Sequence, residues 1–461
     1  FHTFEKQFKK NLALKFLAST VLVHSRYTKK RCQTISDNAT FLLKELCQAQ
    51  RIGEMEVQEL ISRRLVAAGC EVEEFEYYPA DVKMKGEFAL DKEKVKEHRT
   101  AIVGSLPGVK NLPSLLIFAH PDSEPLEDIS KWKHDPFSGS IQNGKFYGWG
   151  VADDLAGCAA AILALESIAN NKKPIGTVMF ASTPSKRYAR GVSALLHKNI
   201  TADAALYLHP AESGFGMREI KAIASGHMEF QIVVKGRPPK TTEPGHTAFS
   251  HLAENPIDKA LIVHSALNTL REERAKRVSF PQIEVLVGRA TNIHVSRISC
   301  GEMNRLSRIE DTCVLGCAVS FPPTETIQQV KAEIEAAILK VGDSDSWLHD
   351  NPPQIIWVAG VTGGEVSTDH PLYTTAAAAI LKITGEAPSI NPMHTSSDIR
   401  NPIVEAGIPC IGLGCLAGDL SQNNKHDEWI DLDDFRRMVN VTKAIVVDWC
   451  SSFMPKLNQG K

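Results

Sequence analysis

The chain contains no CxxC pair, no apolar run near the roughly 18 residues that span a bilayer, no internal repeat and no low-complexity stretch. The first absence argues against a zinc ribbon or a thioredoxin-like redox site, and the second against a membrane-spanning helix. An excess of one charge is missing too. Lys and Arg number 52 against 54 Asp and Glu, a formal net charge of -2, so there is no field to attract a polyanion, and neither nucleic acid nor membrane is expected as a partner. The start of the chain, residues 1–10, is polar and basic. The mildly apolar residues 12–23 are broken by Lys15, Ser19 and Thr20 and read as an amphipathic first helix rather than a signal peptide. The ten cysteines are scattered, most of them in apolar segments (Cys70, Cys158, Cys313, Cys410, Cys415). Buried reduced thiols are the expectation, and they fit a reducing, cytoplasmic setting.

What is present describes an ordinary globular protein, 43% hydrophobic and 23% charged. A length of 461 residues is too great for one core and predicts two domains. Residues 54–68 carry Val57, Leu60, Ile61 and Leu65 at helical spacing, closed by Gly69. Val72, Phe75 and Tyr77 then open a strand. Short, continuously apolar runs at 114–119, 177–182, 204–208 and 408–413 have the character of buried parallel strands, and an alanine-rich helix lies at 155–169. This alternation predicts an α/β fold with an open, mostly parallel sheet. The middle of the chain differs. Strands are expected at 227–234, 283–288, 312–321 and 354–358, with helices at 257–270 and along Ile327, Val330, Ile334 and Ile338. That order describes a small two-layer α+β domain inserted into the larger one. The expected division is 1–221, 222–360 and 361–461, with the outer two segments forming one domain.

In open α/β sheets ligands bind at the C-terminal ends of the strands. The 114–119 strand ends in His120-Pro121-Asp122, and the 204–208 strand ends in His209-Pro210-Ala211-Glu212. Asp153-Asp154 precede the alanine-rich helix, and the last strand is followed by a loop carrying His426-Asp427-Glu428. Three imidazoles and a carboxylate at one sheet edge suit zinc. Asp122 stands where it would accept a hydrogen bond from the His120 ring and fix its tautomer. Taken singly, a histidine at a strand end is more often hydrogen-bonded structure, and Asp153 would serve as a helix cap. Their joint occurrence in this order points to a metal.

FAHPDSEP, WKHDPFSGSIQNGKFYGWGVADD, HTSSDIRNPIVEAGIPCIGLG and KHDEWI together resemble the motifs of the zinc exopeptidases and deacylases. That family includes acetylornithine deacetylase, succinyl-diaminopimelate desuccinylase, aminoacylase and glutamate carboxypeptidase. The resemblance runs from about residue 40 to the end. It implies a zinc-exopeptidase catalytic domain with an inserted lid, or dimerisation, domain and a homodimer formed through that lid. It makes His120 a terminal ligand, Asp153 the carboxylate bridging two zinc ions and His426 the ligand of the second zinc, with a cis peptide bond after Asp153. His209 stands where the family has Glu or Asp; relatives acting on carbamoyl or indole-acyl amides have histidine there, so it is read as a ligand. One or two zinc ions are therefore expected, replaceable by cobalt or manganese.

The resemblance fails at one motif. Two glutamates, a general base and a ligand of the second zinc, are expected after the 177–182 strand, but the sequence reads Ser182-Thr183-Pro184-Ser185-Lys186-Arg187. Positioned proton transfer contributes roughly 10²–10⁴ in rate, so a substitute is required, and Glu212 and Asp154 are the candidates. Lys186 and Arg187 would bind an anionic substrate group or lie in a solvated loop. The family's lid arginine has no counterpart near residues 317–321, although Arg305 and Arg308 are close in sequence and Arg400 matches the C-terminal motif. The lid histidine is missing from GRPPKTTEP, with His246 or His251 as replacements. The expected activity is metal-dependent hydrolysis of an amide in a small-molecule or acyl-amino-acid-like substrate. A binding protein without catalysis on the same scaffold, or a changed reaction such as amide formation, lyase chemistry or isomerisation, is the alternative.

Overall fold

A computed structural model describes residues 38–89, 97–123, 126, 128–169, 175–184, 190–210, 214–391, 397–417 and 426–452. The expected first helix at 12–23, together with Lys186, Arg187 and Glu212, lies outside the described residues.

Two helices, 38–49 and Glu54–Ala67, come first. The second buries Val57, Ile61 and Leu65 at the spacing read from the sequence and stops before Gly69, whose φ of 84° is a left-handed conformation that glycine adopts freely. Five strands of the first sheet follow: β1 (Glu71–Tyr77), β2 (Arg99–Leu106), β3 (Leu115–Ala119), β4 (Val178–Ser182) and β5 (Ala204–Leu208). Helix α1 (Ala156–Ala169) connects β3 to β4.

The chain then builds a second sheet from β6 (Gly226–Lys235), β7 (Asn292–Ser299), β8 (Thr312–Phe321) and β9 (Gln354–Val361), with helices α2 (Pro256–Arg277) and α3 (Ile327–Leu339). All its pairings are antiparallel, in the order β7-β8-β6-β9, and the short strand Glu87–Ala89 adds to β9. β6 shows how one face is covered: Met228, Phe230, Ile232 and Val234 are buried while Glu229, Gln231 and Lys235 are exposed. These residues, with Val263 and Leu267 of α2 and Val330 and Ile334 of α3, form a core of their own.

β10 (Cys410–Leu413) returns to the first sheet. The order there is β1-β2-β4-β3-β5-β10, parallel from β4 to β10 and antiparallel at β1 and β2. The mostly parallel sheet read from the sequence is thus present, with an antiparallel edge. All five residues of β3 are buried; Leu115, Ile117 and Ala119 pack into one core and Leu116 and Phe118 into another on the opposite face. Burying each such Leu, Ile or Phe contributes roughly 1.5–3 kcal/mol, which makes β3 a rigid support for His120 at its end.

The expected strand at 283–288 is instead the helix Pro281–Val287. Pro281 sits in its first turn, where a missing N–H costs nothing, and Gly288 ends it with a φ of 81°. A run of six apolar-rich residues fits either structure by periodicity alone, so these terminal signals decide. The sheet's edge is formed instead by β7, which no sequence feature had marked.

Candidate metal centre

Two strand ends and a turn meet at one edge of the first sheet. β3 delivers His120 and β5 delivers His209, both buried. The turn Val151–Leu155 brings in Asp153 and Asp154, and their peptide bond is cis, as the resemblance implied. Gly157 lets α1 come close enough for this, since a Cβ there would lie 2.2 Å from the Leu208 carbonyl oxygen.

His209 Nδ1 is 2.6 Å from Asp154 Oδ1 and 3.2 Å from Asp153 Oδ1. Its ring stacks on Tyr207 at 4.9 Å between centroids, and the Tyr207 hydroxyl lies 3.0 Å from Nδ1 and 3.2 Å from Asp154 Oδ2. Burial and the nearby Lys221 ammonium push the His209 pKa down, but Asp154 and Asp153 outweigh them and hold it up at about 10. Without a cation the ring is therefore an imidazolium. Lys221, itself buried, donates to the Pro210 carbonyl and ties down the segment after His209.

The His120 ring lies 5.2 Å from Tyr207. Its Nδ1 is 2.7 Å from the Thr183 carbonyl oxygen, and its backbone N–H donates to Asp154 Oδ2 at 3.3 Å. The sequence reading gave the orienting role to Asp122. In the structure Thr183 takes that Nδ1 contact, because parallel pairing of β3 with β4 sets Thr183 beside the end of β3, with its N–H bonded to the Ala119 carbonyl. His120 Nε2 faces Asp398 Oδ2 at 2.9 Å and Asp154 Oδ2 at 3.8 Å.

Asp122 is also buried. Burial, with help from Asp122 and against the pull of Arg99, pushes the Glu54 carboxyl up to about 7 from an ordinary 4.5. An acid whose folded-state pKa is raised favours the fold in its protonated form. Its contribution is full below about pH 4.5 and is lost as the pH rises through about 7. Glu54→Gln is accordingly expected to narrow the difference in melting temperature between pH 5 and pH 8; an unchanged difference would count against this assignment.

His426 lies edge-on to Trp132 at 6.3 Å between centroids. Its Nε2 is buried and has no hydrogen-bond partner among the described residues. Two residues on, the fully buried Glu428 accepts from the Gly150 N–H at 3.0 Å, the Ala152 N–H at 2.8 Å and the Asp153 N–H at 3.4 Å. Burial pushes its carboxyl up to about 8 against the Ala152 N–H, and the Asp153 charge adds to the rise.

The remaining candidates lie elsewhere. His246 caps the turn Thr247–Leu252 through Nδ1 and lines a cavity of about 370 Å³ with Cys300, Arg305 and Arg308; none of the strand-end residues line it. Arg400 is buried, and it and Arg190 both pair with Glu87. That leaves Arg400 a strut between elements. Asp398 was not singled out from the sequence, although it stands in the HTSSDIRNP motif; its signal was an acid two residues before an arginine committed to the interior.

This donor set fits a divalent cation. Asp153, Asp154 and His209 present ligand atoms all within 4.8 Å of one another. Ligand atoms about 2.0–2.1 Å from a tetrahedral zinc lie roughly 3.3 Å apart; the His209–Asp153 separation of 3.2 Å matches that value, whereas His209 Nδ1 and Asp154 Oδ1, at 2.6 Å, stand at hydrogen-bond distance. The buried His426 Nε2 is a nitrogen that a cation would satisfy.

The chain is 25% identical over 383 residues to the N-formyl-4-amino-5-aminomethyl-2-methylpyrimidine deformylase of Bacillus subtilis, an alignment covering 79% of this chain and 86% of that one. It is 26% identical over 347 residues to the succinyl-diaminopimelate desuccinylase of Ehrlichia chaffeensis, covering 72% and 81%. Among solved structures, a tripeptidase of Staphylococcus aureus superposes with a TM-score of 0.65 at 15% identity, covering 90% of this chain and 99% of that one. The Bacillus subtilis YXEP protein, a dinuclear metal binding peptidase, superposes with a TM-score of 0.58 at 14% identity, covering 90% and 99%. The profile of Peptidase family M20/M25/M40 matches residues 116–448, a span that holds every strand-end residue described above, and the chain belongs to that family.

Proposed function

We propose that the protein is a zinc-dependent amidohydrolase that cleaves a formyl, acyl or peptidyl amide of a small molecule. The observation that carries this reading is the gathering of His209, Asp153 and Asp154 around one point, with His120 sharing Asp154. His120, Asp153 and His209 would hold the cation, with His426 as a further ligand; one or two zinc ions, or cobalt or manganese in their place, suit this set. Lewis acidity from the bound cation would polarise the scissile carbonyl and acidify a water.

The chain's own contribution is placement. The Thr183 carbonyl selects the His120 tautomer that carries its proton on Nδ1 and turns a lone pair on Nε2 toward the site. The Glu428 cradle fixes the backbone that carries Asp153. The stack of Phe118, Tyr207 and His209 walls one side and holds the imidazole plane. Glu212 and Asp154 are retained as the acid–base candidates, with Asp122 kept as a residue of the catalytic site, since the sequence offers no carboxylate from Ser182 to Arg187. His246, on the inserted lid, is retained as the group that would support the carbonyl oxygen.

The reading includes the division into 1–221 and 361–461 as a catalytic domain and 222–360 as a lid, supported by the separate core beneath the second sheet. It also includes a cytoplasmic homodimer paired through the lid. β7 is an outermost strand of its sheet and exposes Ile298, which suits edge pairing with a second copy. No described helix is long and apolar enough to cross a membrane.

The test is turnover of a panel of N-formyl, N-acetyl and N-succinyl amides and short peptides with zinc, cobalt or manganese. Hydrolysis that disappears with a chelator and returns on metal addition is expected. Metal-loaded protein that cleaves no amide would contradict it and leave a binding scaffold or a changed reaction.

A further inference from the structure

The hairpin of β7 and β8 brings two cysteines together at the base of its loop. Pairing runs Ile298 to Leu315 and Ser299 to Val314, and one further step sets Cys300 opposite Cys313. Residues directly opposite in an antiparallel pair share a face and lie about 4.5–5.5 Å apart at Cα, inside the roughly 4.4–6.8 Å that a disulfide spans. We propose that Cys300 and Cys313 are an oxidative modification site: Cys300 attacks a small-molecule disulfide, and the pair becomes a cross-strand disulfide that staples the loop 301–312.

Register, not sequence spacing, brings the two thiols together, and both lie on the helix-covered face. Cys313 belongs to the core formed with Val263, Leu267, Val330 and Ile334, and Cys300 packs against that same core. The Cys300 thiol donates to the Thr312 carbonyl at 3.3 Å and accepts from the Cys313 thiol. The sulfurs are thus neighbours, and bond formation asks for side-chain rotation rather than movement of the strands.

Access sets the order of events. Cys313 is fully buried, whereas Cys300 is the one described cysteine that is not. Cys300 lines the cavity of about 370 Å³ with His246, Met303, Arg305 and Arg308, so a reagent reaches it from that side and not through the core. The Cys300 thiolate attacks one sulfur of the incoming disulfide, releases one half as a thiolate and is left in a mixed disulfide. The Cys313 thiolate then attacks Cys300 Sγ, breaks the mixed bond and releases the second half. Two protein thiols are oxidised, one small disulfide is reduced to two thiols, and the two protein protons end on the released sulfurs. Burial pushes Cys300 up against the contact with Cys313, and pushes Cys313 up to about 11. The thiolate fractions are therefore small at neutral pH, and the pair responds to sustained oxidation.

The loop gives the link something to control. Met303 and Leu306 are 92% and 88% exposed, and the ion pairs of Arg305 with Glu302 and Arg308 with Glu310 stay inside the loop. A loop of this kind is held at its ends, and a covalent link there restricts it.

The test is incubation of the full wild-type chain with glutathione disulfide, then alkylation of the remaining thiols and peptide mass mapping without reductant. The expected product is a peptide pair joined through Cys300 and Cys313, lighter by two hydrogens and reopened by dithiothreitol. Cys313→Ala should stop at a glutathione adduct on Cys300, and Cys300→Ala should take up none at either position. Trypsin cleavage after Arg305 and Arg308 should be roughly fivefold slower in the linked chain than in the reduced one. Two thiols still open to alkylation after prolonged exposure, or an adduct on Cys300 that never passes to Cys313, would overturn the inference, as would unchanged cleavage of the linked loop. The deciding arm uses the wild-type chain and needs neither metal nor substrate, so it stands or falls apart from the hydrolase reading.

Discussion

His209→Ala is expected to lower both metal affinity and amide hydrolysis at least 100-fold, beyond the roughly 10–100-fold that loss of a supporting group around a metal ligand costs. The same substitution is expected to destabilise the metal-free protein by about 3–5 kcal/mol, because it removes an imidazole paired with two buried carboxylates. Asp154 Oδ1 at 2.6 Å and Asp153 Oδ1 at 3.2 Å share His209 Nδ1 as a partner. The two effects separate on adding metal. If a cation replaces the imidazolium charge, zinc should recover part of the lost melting temperature of the variant at concentrations well above those needed by the wild type. Metal titration by calorimetry and thermal unfolding with and without zinc would measure this. A His209→Ala protein as active as the wild type would mean that the ring is structural.

The second large effect is expected at Glu428. Its carboxylate accepts from the N–H groups of Gly150, Ala152 and Asp153, all within a fully buried turn. Glu428→Ala would leave these donors without an acceptor, at about 1–3 kcal/mol for each well-formed bond lost. Gly150 cannot be rebuilt to compensate. Its φ is 70°, and a Cβ there would lie 1.9 Å from Ser123 Oγ. The expected outcome is a loss of about 3–5 kcal/mol together with weaker metal binding, since the backbone that carries Asp153 loses its anchor. Glu428→Gln, which keeps one acceptor oxygen, should fall between the two. Denaturant unfolding of both variants checks the order. Equal stability of Glu428→Ala and the wild type would show that the turn holds itself.

The strands of the parallel part of the first sheet were legible because buried parallel strands leave continuous apolar runs, and β3, β4, β5 and β10 all begin within two residues of the expected positions. The residues at their ends were legible for the same reason: once Ala119 is the last residue of β3, His120 must stand at the sheet edge. Contacts between distant segments were not legible. Thr183 presents its backbone carbonyl to His120, and a carbonyl carries no residue-type signal. Asp398 reaches His120 across a sequence separation of 278 residues, visible only once β10 lies beside β5. Glu428 was visible as an acid beside His426, but its task depends on three N–H groups more than 270 residues away. The helix Pro281–Val287 failed for a local reason: its apolar run was weighed above the proline and glycine that bracket it.

If these buried side chains hold a metal, the metal content of the protein reports it. Protein purified without chelator would be analysed by plasma mass spectrometry, then stripped and reconstituted with zinc. One to two zinc ions per chain are expected, lost on stripping and regained on reconstitution. No metal as purified and none taken up afterwards would contradict it, and the strand-end cluster would then be a buried His209 imidazolium paired with Asp153 and Asp154 on an enzyme scaffold that no longer performs hydrolysis.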